Sequence, residues 1–233
     1  MNQRSLIYLL AFIVTIGSVA TNIYIPALPV VREYFDSTVA QAQATFSIAL
    51  LTFAIGMLFW GPFADRYGRR LAILAGVGLM AAGSVVCLFA PSLAWLIAGR
   101  GVLAFGTATG IAVSRTIVSD LYPDSMARML AQLAIFAVVS SAPAPVIGGF
   151  LTSWFGWRSV FAAQVVMAAA VAWLTWKHLP ETRPATRQPP AVREMARVAR
   201  SLLAKPSYLS CVLQSSAAYS MFVVFISLAP YVM

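Results

Sequence analysis

The stretch LLTFAIGMLFWGPFADRYGRRLAILAGVGLM, Leu50 to Met80, holds two apolar runs that meet at one short charged knot. On either side of Gly61–Arg70 the residues are continuously apolar, without the alternation of a half-wet strand. Between them stand four charges within six residues, Asp65, Arg66, Arg69 and Arg70, with Gly68 placed to reverse the chain tightly. Gly61 reads as a place where two helices approach closely. Two apolar helices joined by a hairpin that cannot enter hydrocarbon form a membrane pattern, and the rest of the chain repeats it.

Of the 233 residues, 61% are hydrophobic and 10% charged, and the mean hydropathy is +0.83. Soluble domains carry about 25% charged residues, so water is not the main solvent of this chain. A hydrocarbon core about 30 Å thick needs about 20 apolar residues in helix. The sequence predicts seven such spans, near Ser5–Ile25, Ala44–Phe63, Leu71–Ala90, Leu93–Val118, Ala127–Leu151, Val160–Lys177 and Ser207–Tyr231. Continuous apolar runs exclude a closed barrel, whose strands alternate, so the fold class is all-α, a polytopic membrane helical bundle. The apolar run after Arg4 continues past Ala20 to Ile25, too long for a signal peptide, and is read as the first span.

The net charge of +9 would suit nucleic acid, but the basic residues flank apolar runs and form no binding stripe, so no nucleic-acid partner is expected. Their placement instead sets orientation. With the N-terminus in the cytoplasm, twelve lysines and arginines fall inside: Arg4, Arg66, Arg69, Arg70, Arg128, Lys177, Arg183, Arg187, Arg193, Arg197, Arg200 and Lys205. Only Arg32 and Arg158 fall outside, while Arg100 and Arg115 lie within the fourth span. The polar stretch from Pro180 to Pro206 is the longest connection. It divides the chain into a six-helix unit (1–179), a basic cytoplasmic linker (180–206) and a seventh helix (207–233).

The knot GPFADRYGRR resembles the loop motif of the major facilitator superfamily, with Phe63 where leucine is usual. YIPALP (Tyr24–Pro29), RGVLAFGTATG (Arg100–Gly110), PAPVIGG (Pro143–Gly149), SDLYP and LPET are similar to motifs of its drug:proton antiporter branch of Bcr/CflA type. That resemblance implies one transporter lobe of three-plus-three inverted repeats, a first half and one helix more, in a bacterial inner membrane, with a missing C-terminal half as its expected partner. It also implies conformational gating by Gly61, Asp65, Arg66, Gly68, Arg69, Arg70 and Asp120, with Arg69 or Arg70 paired to Asp120. An internal match supports the repeat independently. GPFADRYGRR and GFLTSWFGWR (Gly149–Arg158) share two glycines seven apart, an aromatic residue before the second glycine, and an arginine two residues after it.

Arg100 has two readings: it snorkels to the outer interface, or it faces protein or a wet cavity, the reading the resemblance favours. The expected cavity and substrate residues are Asn22, Tyr24, Phe46, Phe53 and Arg100. Asn22 stands where related antiporters carry aspartate, and it cannot titrate. If it faced lipid its amide would be left unsatisfied, which places it toward the cavity. Gly106 and Gly110 have the spacing of close helix packing. Pro143 and Pro145 with Gly148 and Gly149 predict a distorted fifth span, either a simple kink or the hinge that the antiporter motif implies.

All seven acids, Glu33, Asp36, Asp65, Asp120, Asp124, Glu181 and Glu194, fall in loops or at helix ends. Cys87 and Cys211 lie in apolar runs, which argues against a disulfide scaffold. His178 sits beside Lys177 at a span end, and no set of metal ligands surrounds it. No phosphate loop, catalytic residue, metal site or cofactor is expected, and the chain is not read as an enzyme. Its partners are then the lipid bilayer and a small amphipathic molecule to be exported, with coupling to protons in a complete transporter. The rival reading is a truncated or non-transporting membrane component, a scaffold for another polypeptide.

Overall fold

The computed structural model describes residues 3–182, 197, 200, 201 and 203–232. The chain divides into two units, Met1–Arg187 and Gln188–Met233. The described residues are helical, without strands. In the first unit the helices are α1 (Gln3–Asn22), α2 (Leu28–Tyr34), α3 (Val39–Tyr67), α4 (Arg69–Leu88), α5 (Leu93–Leu121), α6 (Met126–Ser141), α7 (Ala144–Phe155) and α8 (Arg158–His178). The second unit contains α9 (Pro206–Val232), over the predicted seventh span. The linker expected over 180–206 falls largely outside the described residues.

Six stretches are long and apolar enough to cross a membrane: Leu6–Tyr34, Val39–Tyr67, Arg69–Leu88, Leu93–Leu121, Pro123–Phe155 and Arg158–His178. Local chemistry sets their ends. Thr38 caps α3 through a reciprocal capping box with Gln41, so α3 starts five residues before the predicted Ala44. Ser92 caps α5, and Pro123 ends the run beyond it. Gly68 (φ +105°) and Gly156 (φ +78°) turn the chain into α4 and α8 with backbone that a side chain rarely adopts.

Two spans are broken. The first was predicted to end at Ile25. Instead it unwinds after Asn22, passes through a 3₁₀ turn at Ile25–Ala27 and continues as α2 to Tyr34. Pro26 and Pro29 each remove a backbone donor there. The fifth span breaks between α6 and α7, where Pro143 and Pro145 stand.

The core lies along α5, which packs against α3 and α4, while α4 packs on α8 and α1 on α6. Contact between α4 and α5 is close because glycines meet. Gly76 and Gly83 on one helix oppose Gly106 and Gly99 on the other, and a methyl at Gly83 would sit 2.7 Å from the Gly99 carbonyl oxygen. Gly110 faces Ile13 of α1 instead. The Gly106–Gly110 spacing therefore serves two different neighbours rather than one seam.

Candidate functional site

Arg100 is the most unusual side chain of the interior. It sits in the second turn of α5, only 1% exposed. The snorkelling reading therefore fails, because the guanidinium points into the lobe. Its Cζ lies 4.1 Å from the centre of the Tyr24 ring, which is itself completely buried and packed on Phe161. Arg100 Nε and Nη2 find no acceptor among the described residues. A desolvated cation on an aromatic face gains about 2 kcal/mol, whereas burying an ion costs several. The π face offsets only part of that cost.

Tyr24 is held in turn. Its hydroxyl lies 3.0 Å from Thr45 Oγ1. Thr45 spends its own proton on the Ala42 carbonyl at 2.7 Å, so Tyr24 must be the donor in that pair. Gln164 of α8, also fully buried, donates from Nε2 to the Ala20 carbonyl at 2.9 Å, two residues before the break in the first span. Gly148 of α7 lies directly against the Ile23 carbonyl, leaving no room for a methyl. The α7 half of span five therefore packs on the break in span one, next to Tyr24 and Arg100.

Of the expected cavity residues, the structure brings Tyr24 and Arg100 into contact and buries Phe46 next to Thr45. Phe53 lies two turns further along α3, half-buried. Asn22 is half-buried, and its amide donates to the Ser18 carbonyl of its own helix at 2.8 Å. That bond gives the amide one partner within its own helix, so its polarity alone does not decide which way Asn22 faces. At Gly61 a methyl would meet nothing within 4 Å, so no described helix packs against the face where its side chain would project. Gly149 faces open space in the same way, and Pro143 and Pro145 stand at the break itself.

The charged knot forms the second cluster. Arg69, with no exposed side-chain surface, donates from Nη1 to Asp65 at 2.7 Å and from Nη2 to Asp120. The expected tie between the α3–α4 turn and the end of α5 is therefore present, through Arg69. Arg70 takes a different partner, donating to the Trp176 carbonyl in the last turn of α8. Arg66 lies over the Tyr67 ring, 5.4 Å from its centre. Glu181 supplies what Gly68 lacks as a capping residue, accepting from the backbone N–H groups of Arg69 (2.8 Å) and Arg70 (3.3 Å). A carboxylate at a helix N-terminus is favoured both by those donors and by the helix dipole.

Sequence reading missed the parts played by Gln164, Thr45 and Glu181. Only Glu181 left a signal, as the acid of LPET just past span six. Arg158, which counted toward orientation and as the arginine of the second repeat, donates to the carbonyls of Leu88 (3.1 Å) and Ala90 (3.2 Å) at the far end of α4. It is also flanked by the Tyr34 and Trp157 rings.

Six apolar helical spans in two inverted triplets, with one buried cation beside two broken helices, define an integral membrane protein built as a transporter lobe. Residues 10–233 match the family model of the Major Facilitator Superfamily, and the chain belongs to that family. It is 33% identical over 181 residues to Multidrug resistance protein D of Escherichia coli K12, a match covering 77% of this chain and 46% of that protein. To Multidrug resistance protein MdtL of Escherichia fergusonii it is 31% identical over 210 residues, covering 90% and 53%. Among solved structures it is similar to an inward-facing, occupied bacterial homologue of the human lysosomal transporter Spinster. That likeness has a TM-score of 0.72 and 25% identity, over 97% of this chain and 53% of the other. The human organic anion transporter MFSD10 shares the fold at a TM-score of 0.69 and 18% identity, over 85% of this chain and 53% of that one. The chain spans about half the length of these relatives.

Proposed function

We propose that this chain is the N-terminal half of a multidrug-efflux-type secondary transporter that exports small amphipathic molecules, of the Bcr/CflA drug:proton antiporter branch. One observation carries the reading: a buried guanidinium, Arg100, whose Nε and Nη2 have no acceptor among the described residues, beside the break in span one and the α7 half of span five. Such a group stabilises no lobe by itself. It is suited to a polar group that arrives from outside, on a substrate or on an opposing lobe. The names of the two resistance proteins favour the same substrate class.

In this reading the six-helix lobe (1–179) leads through a basic cytoplasmic linker (180–206) to a helix (207–233) that opens a second lobe. Substrate binds between the lobes near Asn22, Tyr24, Phe46, Phe53 and Arg100. The Asp65–Arg69–Asp120 clamp biases the lobe toward one conformation, and the Pro143–Gly149 break serves as a hinge. The N-terminus is cytoplasmic, in a bacterial inner membrane. Expression of a complete two-lobe transporter carrying this half, in a host stripped of its own efflux pumps, tests the proposal. Such cells should retain less of a fluorescent amphipathic dye than cells carrying the Arg100→Ala variant. Equal retention at equal membrane abundance overturns it.

A further inference from the structure

Gln164 is fully buried in α8, and its neighbours along that helix are apolar. Its Nε2 donates to the Ala20 carbonyl at 2.9 Å, while its Oε1 has no partner among the described residues. A carbonyl can only accept, so the amide must meet Ala20 with its nitrogen end. The position of that acceptor matters. The backbone ladder of α1 runs to the Ile23 N–H, which donates to the Val19 carbonyl at 2.9 Å, and Ala20 is the next acceptor in line. Two positions further on, the Asn22 carbonyl would look to Pro26, which has no donor. Gln164 thus donates to the first span at the point where its own ladder ends.

The same helix supports the far side of the break. Phe161, one turn before Gln164, packs on the Tyr24 ring with 5.5 Å between centroids, and the Arg100 guanidinium lies over that ring. From α7, Gly148 presses on the Ile23 carbonyl. Gly148 and Gln164 each stand eight residues from the turning Gly156, so the α7–α8 hairpin brings both to span one at one depth. Phe161 and Gly148 act by apolar contact, which tolerates sliding along the span. The bond from Gln164 does not, because a hydrogen bond weakens steeply with distance and angle. We propose that Gln164 is a positioning residue of the central site: its bond to Ala20 fixes where span one unwinds and so sets the Tyr24 ring against Arg100. This role rests on reading Arg100 and Tyr24 as part of the transport site.

Two readouts test it. In the 233-residue chain, the ring current of Tyr24 should shift the Arg100 guanidinium resonances upfield. Gln164→Met, equal in length but without a donor, should remove most of that shift. In a complete two-lobe transporter carrying this half, Gln164→Met should raise the KM for a fluorescent amphipathic dye about tenfold and leave kcat within about twofold, because the competent arrangement becomes a minority of the population. Thr175→Val removes another fully buried α8 donor, one with no partner among the described residues, and should change neither readout. An unmoved Arg100 resonance, a loss of kcat with KM unchanged, or an equal effect of Thr175→Val overturns the proposal. A solid-state resonance measurement on the unmodified chain in bilayers needs no variant to fold: labelled glutamine Nε2 should couple to the Ala20 carbonyl carbon, and absent coupling also overturns it. A parent transporter that moves no dye would overturn the transport reading instead, and the Arg100 resonance would still decide whether Gln164 places Tyr24.

Discussion

Replacing Gly68 by alanine probes both reasons for glycine at that turn, and the lobe contains its own control. The first reason is backbone. At φ +105° and ψ 152°, Gly68 occupies a region essentially reserved for glycine, and forcing a side chain into it costs about 1–3 kcal/mol. The second is contact. A methyl at Gly68 would sit 2.5 Å from Glu181 Oε2 and 2.9 Å from its Cδ, so the carboxylate that caps α4 must leave. Losing a capping side chain costs about 0.5–2 kcal/mol. The two terms together give about 1.5–5 kcal/mol. Gly156 has nearly the same backbone, φ +78° and ψ 165°, but nothing within 4 Å of its methyl position. Gly156→Ala therefore carries the strain term alone, about 1–3 kcal/mol.

The assay is SDS-induced unfolding in mixed micelles, for each single variant, for Glu181→Ala and for Gly68→Ala/Glu181→Ala. Gly68→Ala should be the more damaging glycine substitution. Most of its excess over Gly156→Ala should vanish once Glu181 is already alanine, because the methyl then has nothing to displace. Equal losses at the two glycines, or full additivity with Glu181→Ala, would refute the reasoning.

Four further outcomes are expected. Asp120→Asn should cost about 3–5 kcal/mol of lobe stability, since it removes a partner from an arginine with no exposed surface; a loss below 1 kcal/mol in the same unfolding assay contradicts the clamp. Cysteines placed at Arg158 and at Arg187 should react with an impermeant reagent from opposite faces of the membrane, Arg158 from outside; the reverse pattern would invert the orientation drawn from the charge distribution. In a complete transporter, Asn22→Ala should weaken export while its pH dependence stays unchanged, and a lost pH dependence would give Asn22 a part in coupling that its amide cannot play by titration. The 233-residue chain alone, reconstituted with an imposed proton gradient and a fluorescent drug, should move no more dye than protein-free vesicles, because alternating access needs two lobes around a shared site.

What the sequence disclosed follows from how local the physics is. Apolar run length marked every span, because lipid thickness imposes it one helix at a time. A pairing of Arg69 or Arg70 with Asp120 was legible because spans two and four meet the same face and the resembled loop motif ties them by charge, but which arginine makes it was not. The contacts that hold the centre were not. Gln164 reaches Ala20 across 144 positions of chain, and a lone glutamine in an apolar helix does not name its partner. Asn22 shows the opposite limit: an acceptor for its amide is one turn away in its own helix, so polarity alone does not say which way it faces. Gly61 was assigned a close neighbour on its residue type, yet a glycine alone cannot tell a helix face that packs inward from one that faces outward. The break in the first span was half legible, since Pro26 and Pro29 mark it but do not tell whether the helix stops or resumes.

The inverted repeat gains its physical sense from two arginines that its alignment pairs. Arg70 follows the first turning glycine by two residues and donates to the Trp176 carbonyl near the end of α8. Arg158 follows the second by two and donates to the Leu88 and Ala90 carbonyls at the end of α4. Each helix of the antiparallel α4–α8 pair thus begins with an arginine that caps the last carbonyls of the other. Those carbonyls lack partners within their own helix and carry the negative end of its dipole, so a cation there serves both needs. The pair is fastened at both membrane faces, and Glu181 adds a second tie at the face of the charged knot. Spans one and five break where prolines have removed donors and the backbone unwinds, and span one is held there by side chains, Gln164 on the Ala20 carbonyl and Tyr24 on Thr45, rather than by its own ladder. A lobe built this way can hold α4 and α8 as a fixed frame while the broken spans beside Arg100 take up a change of shape, because motion is cheapest where the fewest hydrogen bonds must be broken.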